Sequence, residues 1–213
     1  FREGGVQPQN PASAWVAAAL EAGPGDRVLD LASGRGVKAA QLAAVGARVE
    51  AVEADPAKVE QARANLARLG LDVEHRVADL RSVPPGLEPG HHVLLDAPCT
   101  GTGTLRGHPE LASRLGPEDV TDRAALQDRL LDTAAELTAP GGRLVYAVCS
   151  LTREEGPERI AALRARRSAF HPEPLRPPVP HLPAGDGVFL LPDDGLDGFF
   201  VARLRRAPEG SRP

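Results

Sequence analysis

Five polar residues, Asp30, Glu53, Asp79, Asp96 and Cys149, each stand at or near the carboxyl end of a short apolar run. This coincidence constrains the fold more than any single motif does. A brief apolar run bounded by turn formers reads as a strand buried on both faces, as in a parallel sheet covered by helices. In such sheets ligands bind beyond the carboxyl ends of the strands, where the connections change direction. The chain therefore reads as an α/β protein whose binding face carries four acids and a thiol.

The runs alternate with helical stretches in the order this architecture needs. Residues 1–13 are rich in turn formers, and Ala14–Ala22 read as a short helix ended by Gly23-Pro24-Gly25. Arg27–Leu31 is the first strand, 32–38 a tight glycine-bearing loop and Ala39–Ala44 a helix. Arg48–Val52 is the second strand, after which Pro56 suits a first helical turn and Gly70 a helix end. Asp72–Val77 and His92–Leu95 are the third and fourth strands. The segment 97–117 carries Gly and Pro and is long enough to be functional in its own right. Thr121–Thr138 is helical, Pro140-Gly141-Gly142 a turn, Arg143–Val148 the fifth strand and Glu154–Arg166 a helix. Residues 171–186 are proline-rich and read as irregular, while Gly187–Leu191 and Phe199–Leu204 form an antiparallel hairpin at the sheet edge. The expectation is a mostly parallel, seven-stranded sheet with helices on both faces. Residues 1–22 form an N-terminal motif and helix packed on a main domain of residues 23–206, and 207–213 a disordered tail.

Composition narrows the classes. A chain of 213 residues suits one domain, and no apolar run approaches 18 residues, so no membrane span is expected. Two cysteines are too few for a disulfide framework, and no secretory signal is visible, so reduced thiols in the cytoplasm are expected. The six histidines are scattered, no Cys/His spacing suits zinc, and no metal site is expected. A net charge of −4 argues against coating nucleic acid nonspecifically, and leaves room for a local basic groove.

A glycine-bearing loop after the first strand and Glu53 after the second point to a nucleoside ligand. The loop allows close backbone approach, and the acid can hold both ribose hydroxyls. A nicotinamide dinucleotide would call for Gly-x-Gly-x-x-Gly, whereas only Gly34 and Gly36 are present. Asp79 could accept from an exocyclic amine, and the set fits S-adenosylmethionine better.

Two longer motifs are more specific. Asp96-Ala97-Pro98-Cys99-Thr100-Gly101-x-Gly103 and Val145-Tyr146-Ala147-Val148-Cys149-Ser150-Leu151-x-x-Glu154-Glu155 resemble the RNA (cytosine-5) methyltransferase family, its Fmu/Sun (NSUN-like) group. Gln9-Asn10-Pro11-Ala12-Ser13, Arg106-Gly107-His108-Pro109-Glu110 and Asp197-Gly198-Phe199-Phe200-x-Ala202 resemble further segments of that family, in order. Where the family has Pro-Gly-Gly-Lys, this chain has Arg35-Gly36-Val37-Lys38.

The resemblance implies a Rossmann-like S-adenosylmethionine-dependent methyltransferase fold and methylation of cytosine carbon 5 in RNA; a composition that suggests a bacterial source favours ribosomal over transfer RNA. It assigns the nucleophile to Cys149, release of the covalent adduct to Cys99 and orientation of the cytosine edge to Asp96. It places cofactor contacts at Asp30, Ala32, Ser33, Gly34, Gly36, Lys38, Glu53, Asp79, Asp96 and Pro98, and target contacts at Gln9, Ser13, Lys38 and Arg106. The chain begins at Phe1 and contains no Met, so an upstream RNA-binding segment is expected, on a protein that acts as a monomer. Two other readings stay open. A DNA cytosine-5 methyltransferase would use Cys99 as nucleophile, and a non-catalytic RNA-binding or assembly module would explain the divergent loop.

Overall fold

The computed structural model describes residues 3–210. Five helices are present, α1 (Pro11–Ala18), α2 (Val37–Ala44), α3 (Pro56–Leu69), α4 (Pro117–Leu137) and α5 (Pro157–Arg166). The strands of the first half are β1 (Arg27–Leu31), β2 (Arg48–Glu53), β3 (Glu74–Val77), β4 (Gly90–Asp96) and β5 (Thr138–Val148). They are followed by β6 (Phe170–Pro172), β7 (His181–Ala184), β8 (Gly187–Leu190) and β9 (Phe199–Arg206).

Side chains along the central strands alternate between two apolar layers, as the two-residue period of a strand requires. Leu29, Val93, Leu95, Leu144 and Tyr146 face a layer completed by Leu130, Leu131 and Ala134 of α4 and Ile160 and Leu163 of α5. Val28, Leu94, Val145 and Ala147 face the opposite layer, completed by Ala12 and Val16 of α1 and Ala39 and Leu42 of α2. A leucine taken fully out of water in this way contributes roughly 2 kcal/mol.

The sheet runs β3-β2-β1-β4-β5-β9-β8-β7, with β6 also paired to β9. Pairs among β1 to β5 are parallel, and β9 runs antiparallel to β5, β8 and β6. This is the expected doubly wound, Rossmann-like sheet with an antiparallel far side. Its order reverses between β1 and β4, which puts the crevice above the carboxyl ends of those two strands. Among the described residues no helix is long and apolar enough to cross a membrane.

Several local expectations are corrected: α1 spans Pro11–Ala18 where Ala14–Ala22 was expected, and α5 begins at Pro157 where Glu154 was expected. The sheet has nine strands where seven were expected, because the proline-rich segment 171–186 contributes β7 and the end of β6. Both pair antiparallel, and proline is tolerated at strand ends and sheet edges. Helix α4 begins at Pro117, before the expected Thr121. The turn at Pro140-Gly141-Gly142 lies inside β5, opposite a register shift between Gly90 and His92. At the end of the chain, the Ala207 amide donates to the Ala169 carbonyl at 2.8 Å. Residues 211–213 of the expected disordered tail, like residues 1–2 of the N-terminal motif, lie outside the described residues.

Candidate active site

The loop between β1 and α2 turns sharply over the crevice. Ala32 takes φ 59°, in the left-handed region that costs a residue with a Cβ about 1 kcal/mol or more. The Ser33 amide donates to Val52 O at 3.0 Å, which draws the loop onto β2. Gly36, at φ 73°, precedes α2, and a Cβ there would lie 3.0 Å from that of Ala62 on α3. The Gly34 amide donates to Glu53 Oε2 at 2.9 Å, and the Asp55 amide to Glu53 Oε1 at 3.0 Å. Glu53 is thereby held, buried, at the rim of a cleft.

Two clefts flank this loop. One, of ≈ 450 Å³, is lined by Glu53, Asp79, Leu80, Pro98, Leu126 and Leu130 among others. Asp79 is exposed there and holds Arg81, accepting from its backbone amide at 2.9 Å and its Nε at 2.7 Å. The other, of ≈ 640 Å³, is lined by Gln9, Ser13, Asp30, Lys38, Cys149 and Phe199 among others. Ala32, Gly34 and Asp96 line both, so the clefts meet at the switch point of the sheet.

At that junction Lys38 Nζ donates to Asp96 Oδ2 at 2.5 Å, and the ammonium lies 5.6 Å from the centre of the Phe199 ring. Burial pulls the Lys38 pKa down, but the charge and hydrogen bond of Asp96 outweigh it and leave it above the usual lysine value. Below this pair, Asp30 is buried, and neither of its oxygens makes a formed hydrogen bond. Burial pushes its pKa up to about 7, opposed by the nearby Lys38 charge.

The two cysteines are brought together from β4 and β5, with sulfurs 3.3 Å apart. Both thiols are free and half-buried. Cys149 lines the second cleft, whereas Cys99 lines neither. The contact with the Cys149 thiol, in which either sulfur can donate, and then burial raise the Cys99 pKa well above the ordinary thiol value. Behind them Glu155, fully buried, gathers donors from both cysteine loops.

Of the residues expected from sequence, Asp30, Ala32, Ser33, Gly34, Lys38, Asp96 and Cys149 share the second cleft with Gln9 and Ser13. Glu53, Asp79 and Pro98 share the first. Gln9 Nε2 also donates to Gln41 Oε1 at 2.9 Å, tying the N-terminal segment to α2. Gly36 lines neither cleft and shapes the loop from beneath. Arg106 is exposed in the 97–117 segment, 3.9 Å from Asp194, and lines neither cleft. Phe199, beneath Lys38, stood in the sequence only as part of the closing-strand motif, and Gln127, whose Nε2 donates to Pro98 O at 3.0 Å, was not singled out. Glu155 stood out only as the end of the longer cysteine motif, with no role of its own.

Fold and site together define a doubly wound, Rossmann-like domain with paired cysteines above its switch point. Residues 17–205 match the family described as 16S rRNA methyltransferase RsmB/F, and the chain belongs to that family. It is 54% identical, over 203 residues, to ribosomal RNA small subunit methyltransferase B of Thermus thermophilus, covering 95% of this chain and 50% of that protein. The crystal structure of NSun6 from Pyrococcus horikoshii with SFG superposes with a TM-score of 0.88 at 25% identity, covering 98% of this chain and 55% of that one. A methyltransferase homolog protein from Pyrococcus horikoshii superposes with a TM-score of 0.80 at 31% identity, covering 97% and 70%. The chain thus spans about half the length of the curated relatives it matches.

Proposed function

We propose that this chain is the catalytic portion of an S-adenosylmethionine-dependent RNA cytosine-C5 methyltransferase that acts on small-subunit ribosomal RNA. The observation that carries the reading is the placement of Cys149 in a cleft that joins a second cleft at Asp96, with the Cys99 sulfur 3.3 Å behind it.

The residues of the first cleft fit S-adenosylmethionine. Glu53 offers a fixed carboxylate for a ribose diol, Asp79 an acceptor for an exocyclic amine, and the Ala32–Gly34 backbone allows close approach. Bound there, S-adenosylmethionine supplies an electrophilic methyl group.

The second cleft takes the cytosine, unstacked from its RNA. Cytosine carbon 5 is a poor nucleophile. The Cys149 thiolate, adding to carbon 6, turns the ring into an enamine-like species whose carbon 5 can attack, which splits one hard step into easier ones. Asp96, held by Lys38, faces the base edge and steadies the proton at nitrogen 3. Release requires transfer of the carbon 5 proton to solvent water and departure of the Cys149 sulfur from carbon 6 with the electron pair of the C6–S bond. The Cys99 thiol, 3.3 Å from that sulfur, donates to it as it departs. Cys99 lines neither cleft and holds its proton firmly, which disfavours its use as the nucleophile.

The test is transfer of labelled methyl from S-adenosylmethionine to small-subunit rRNA. Label is expected at cytosine C5, and Cys149→Ala should lower the rate by about a thousandfold or more, as removal of a covalent nucleophile does. Wild-type transfer by Cys149→Ala would overturn the assignment.

A further inference from the structure

The Glu155 carboxylate is a buried ionisable group that the chemistry above leaves unused. It is 0% exposed, and among the described residues it has no ion-pair partner. Removing a carboxylate from water is expensive unless its lone pairs are all occupied. Here four donors converge on it. Oε1 accepts from the Thr100 amide at 2.9 Å and from Gln127 Nε2 at 3.0 Å. Oε2 accepts from Thr100 Oγ1 at 2.5 Å and from Thr152 Oγ1 at 3.2 Å. Its own carbonyl accepts from the buried Tyr146 hydroxyl at 2.7 Å. Thr100 follows Cys99 directly, and Thr152 lies three residues beyond Cys149. One carboxylate thus joins the loop after β4 to the loop after β5, and such a satisfied buried network fixes geometry.

We propose that Glu155 is a positioning residue: it locks the Cys99 loop against the Cys149 loop and so sets the sulfur-to-sulfur approach that adduct release needs. This rests on the division of labour between the two cysteines given above. Glu155 lines neither cleft and acts through Thr100, Thr152 and Gln127, the last of which also donates to Pro98 O at 3.0 Å.

Disulfide formation by diamide reads the approach of the two sulfurs without RNA or cofactor. The two thiols give up two protons and two electrons, and the azo oxidant is reduced to the hydrazine. In the full chain, Glu155→Ala is expected to slow Cys99–Cys149 cross-linking about tenfold, the effect of losing a charge-assisted tie. Glu155→Gln keeps an oxygen for the Thr100 amide and Gln127 and turns its NH2 to the two rotatable hydroxyls, so cross-linking should stay within about threefold of wild type. Thr100→Val keeps the backbone donor and loses the hydroxyl. It should slow the reaction about threefold, and it is the decisive variant if Glu155→Ala does not fold. Wild-type cross-linking in Glu155→Ala, or in Thr100→Val where that variant is decisive, would overturn the proposal, as would a Glu155→Gln as slow as Glu155→Ala. With rRNA and S-adenosylmethionine, folded Glu155→Ala should also accumulate covalent adduct. If no variant, nor wild type, ever forms adduct while the cross-linking order holds, the cysteine chemistry fails and the positioning role stands.

Discussion

Asp30 is the residue whose protonation most couples the site to stability. Its carboxyl titrates near 7 in the folded chain and near 3.8 when solvated. The folded state therefore binds this proton more tightly than the unfolded state does. The associated stability is full below pH 3.8 and is lost as pH rises toward 7. Asp30→Asn removes that loss, so the variant should gain on wild type steadily between about pH 4 and pH 7 and hold the gain above it. Thermal melting across this range should show the gap widening by about 5 °C or more. A gap independent of pH would show that Asp30 is already ionised in the fold. The acid itself was evident from sequence as a polar residue ending a buried strand. Its isolation was not, since that depends on where Lys38 points, and Lys38 is drawn 58 residues along the chain to Asp96.

The decisive elements are the loops that follow β4 and β5. They are fastened by backbone as well as by side chains: the Gly103 amide donates to Cys149 O at 3.0 Å, and the Gly198 amide to Gly103 O at 2.8 Å. A Cβ at Gly103 would sit 2.0 Å from Gly198 O, a contact only backbone movement can relieve. Gly103→Ala should cost about 2–3 kcal/mol in denaturant unfolding and reduce methyl transfer. Gly198→Ala should cost less, because its Cβ would meet the Leu151 side chain at 3.0 Å and above. Equal costs would argue against the close backbone approach. Strands β1, β4 and β5 were legible because each carries an apolar run (Val28-Leu29, residues 93–95 and residues 144–148) that ends in turn formers, and β2 because Val49, Ala51 and Val52 keep an apolar stretch around Glu50. β7 and the end of β6 were not, because Pro172 and Pro183 read locally as breakers while the pairing that makes them strands is to distant β9 and nearby β8. Likewise Glu155 could not be read as a tie, its partners Thr100 and Gln127 standing 55 and 28 residues away.

For the whole molecule, the doubly wound order gathers all of these groups above one edge of the sheet and leaves two apolar layers to hold it rigid. Ligand binding to such a preformed cleft should register as global stability. S-adenosylmethionine at about a hundred times its dissociation constant would contribute about 2.7 kcal/mol, or roughly 5–10 °C for a chain this size. Glu53→Gln, which keeps an acceptor for the Gly34 amide but loses the charge proposed to face a ribose diol, should abolish most of that shift at the same concentration. A full shift in the variant would move the nucleoside elsewhere.

The central claim, that Cys149 carries the covalent bond and Cys99 ends it, is tested most directly by trapping. Cys99→Ala mixed with small-subunit rRNA and S-adenosylmethionine, then run on a denaturing gel, should show a protein–RNA band much stronger than wild type. The Cys99→Ala, Cys149→Ala double variant should show none. A band that persists in the double variant, or that appears with Cys149→Ala alone, would contradict the account.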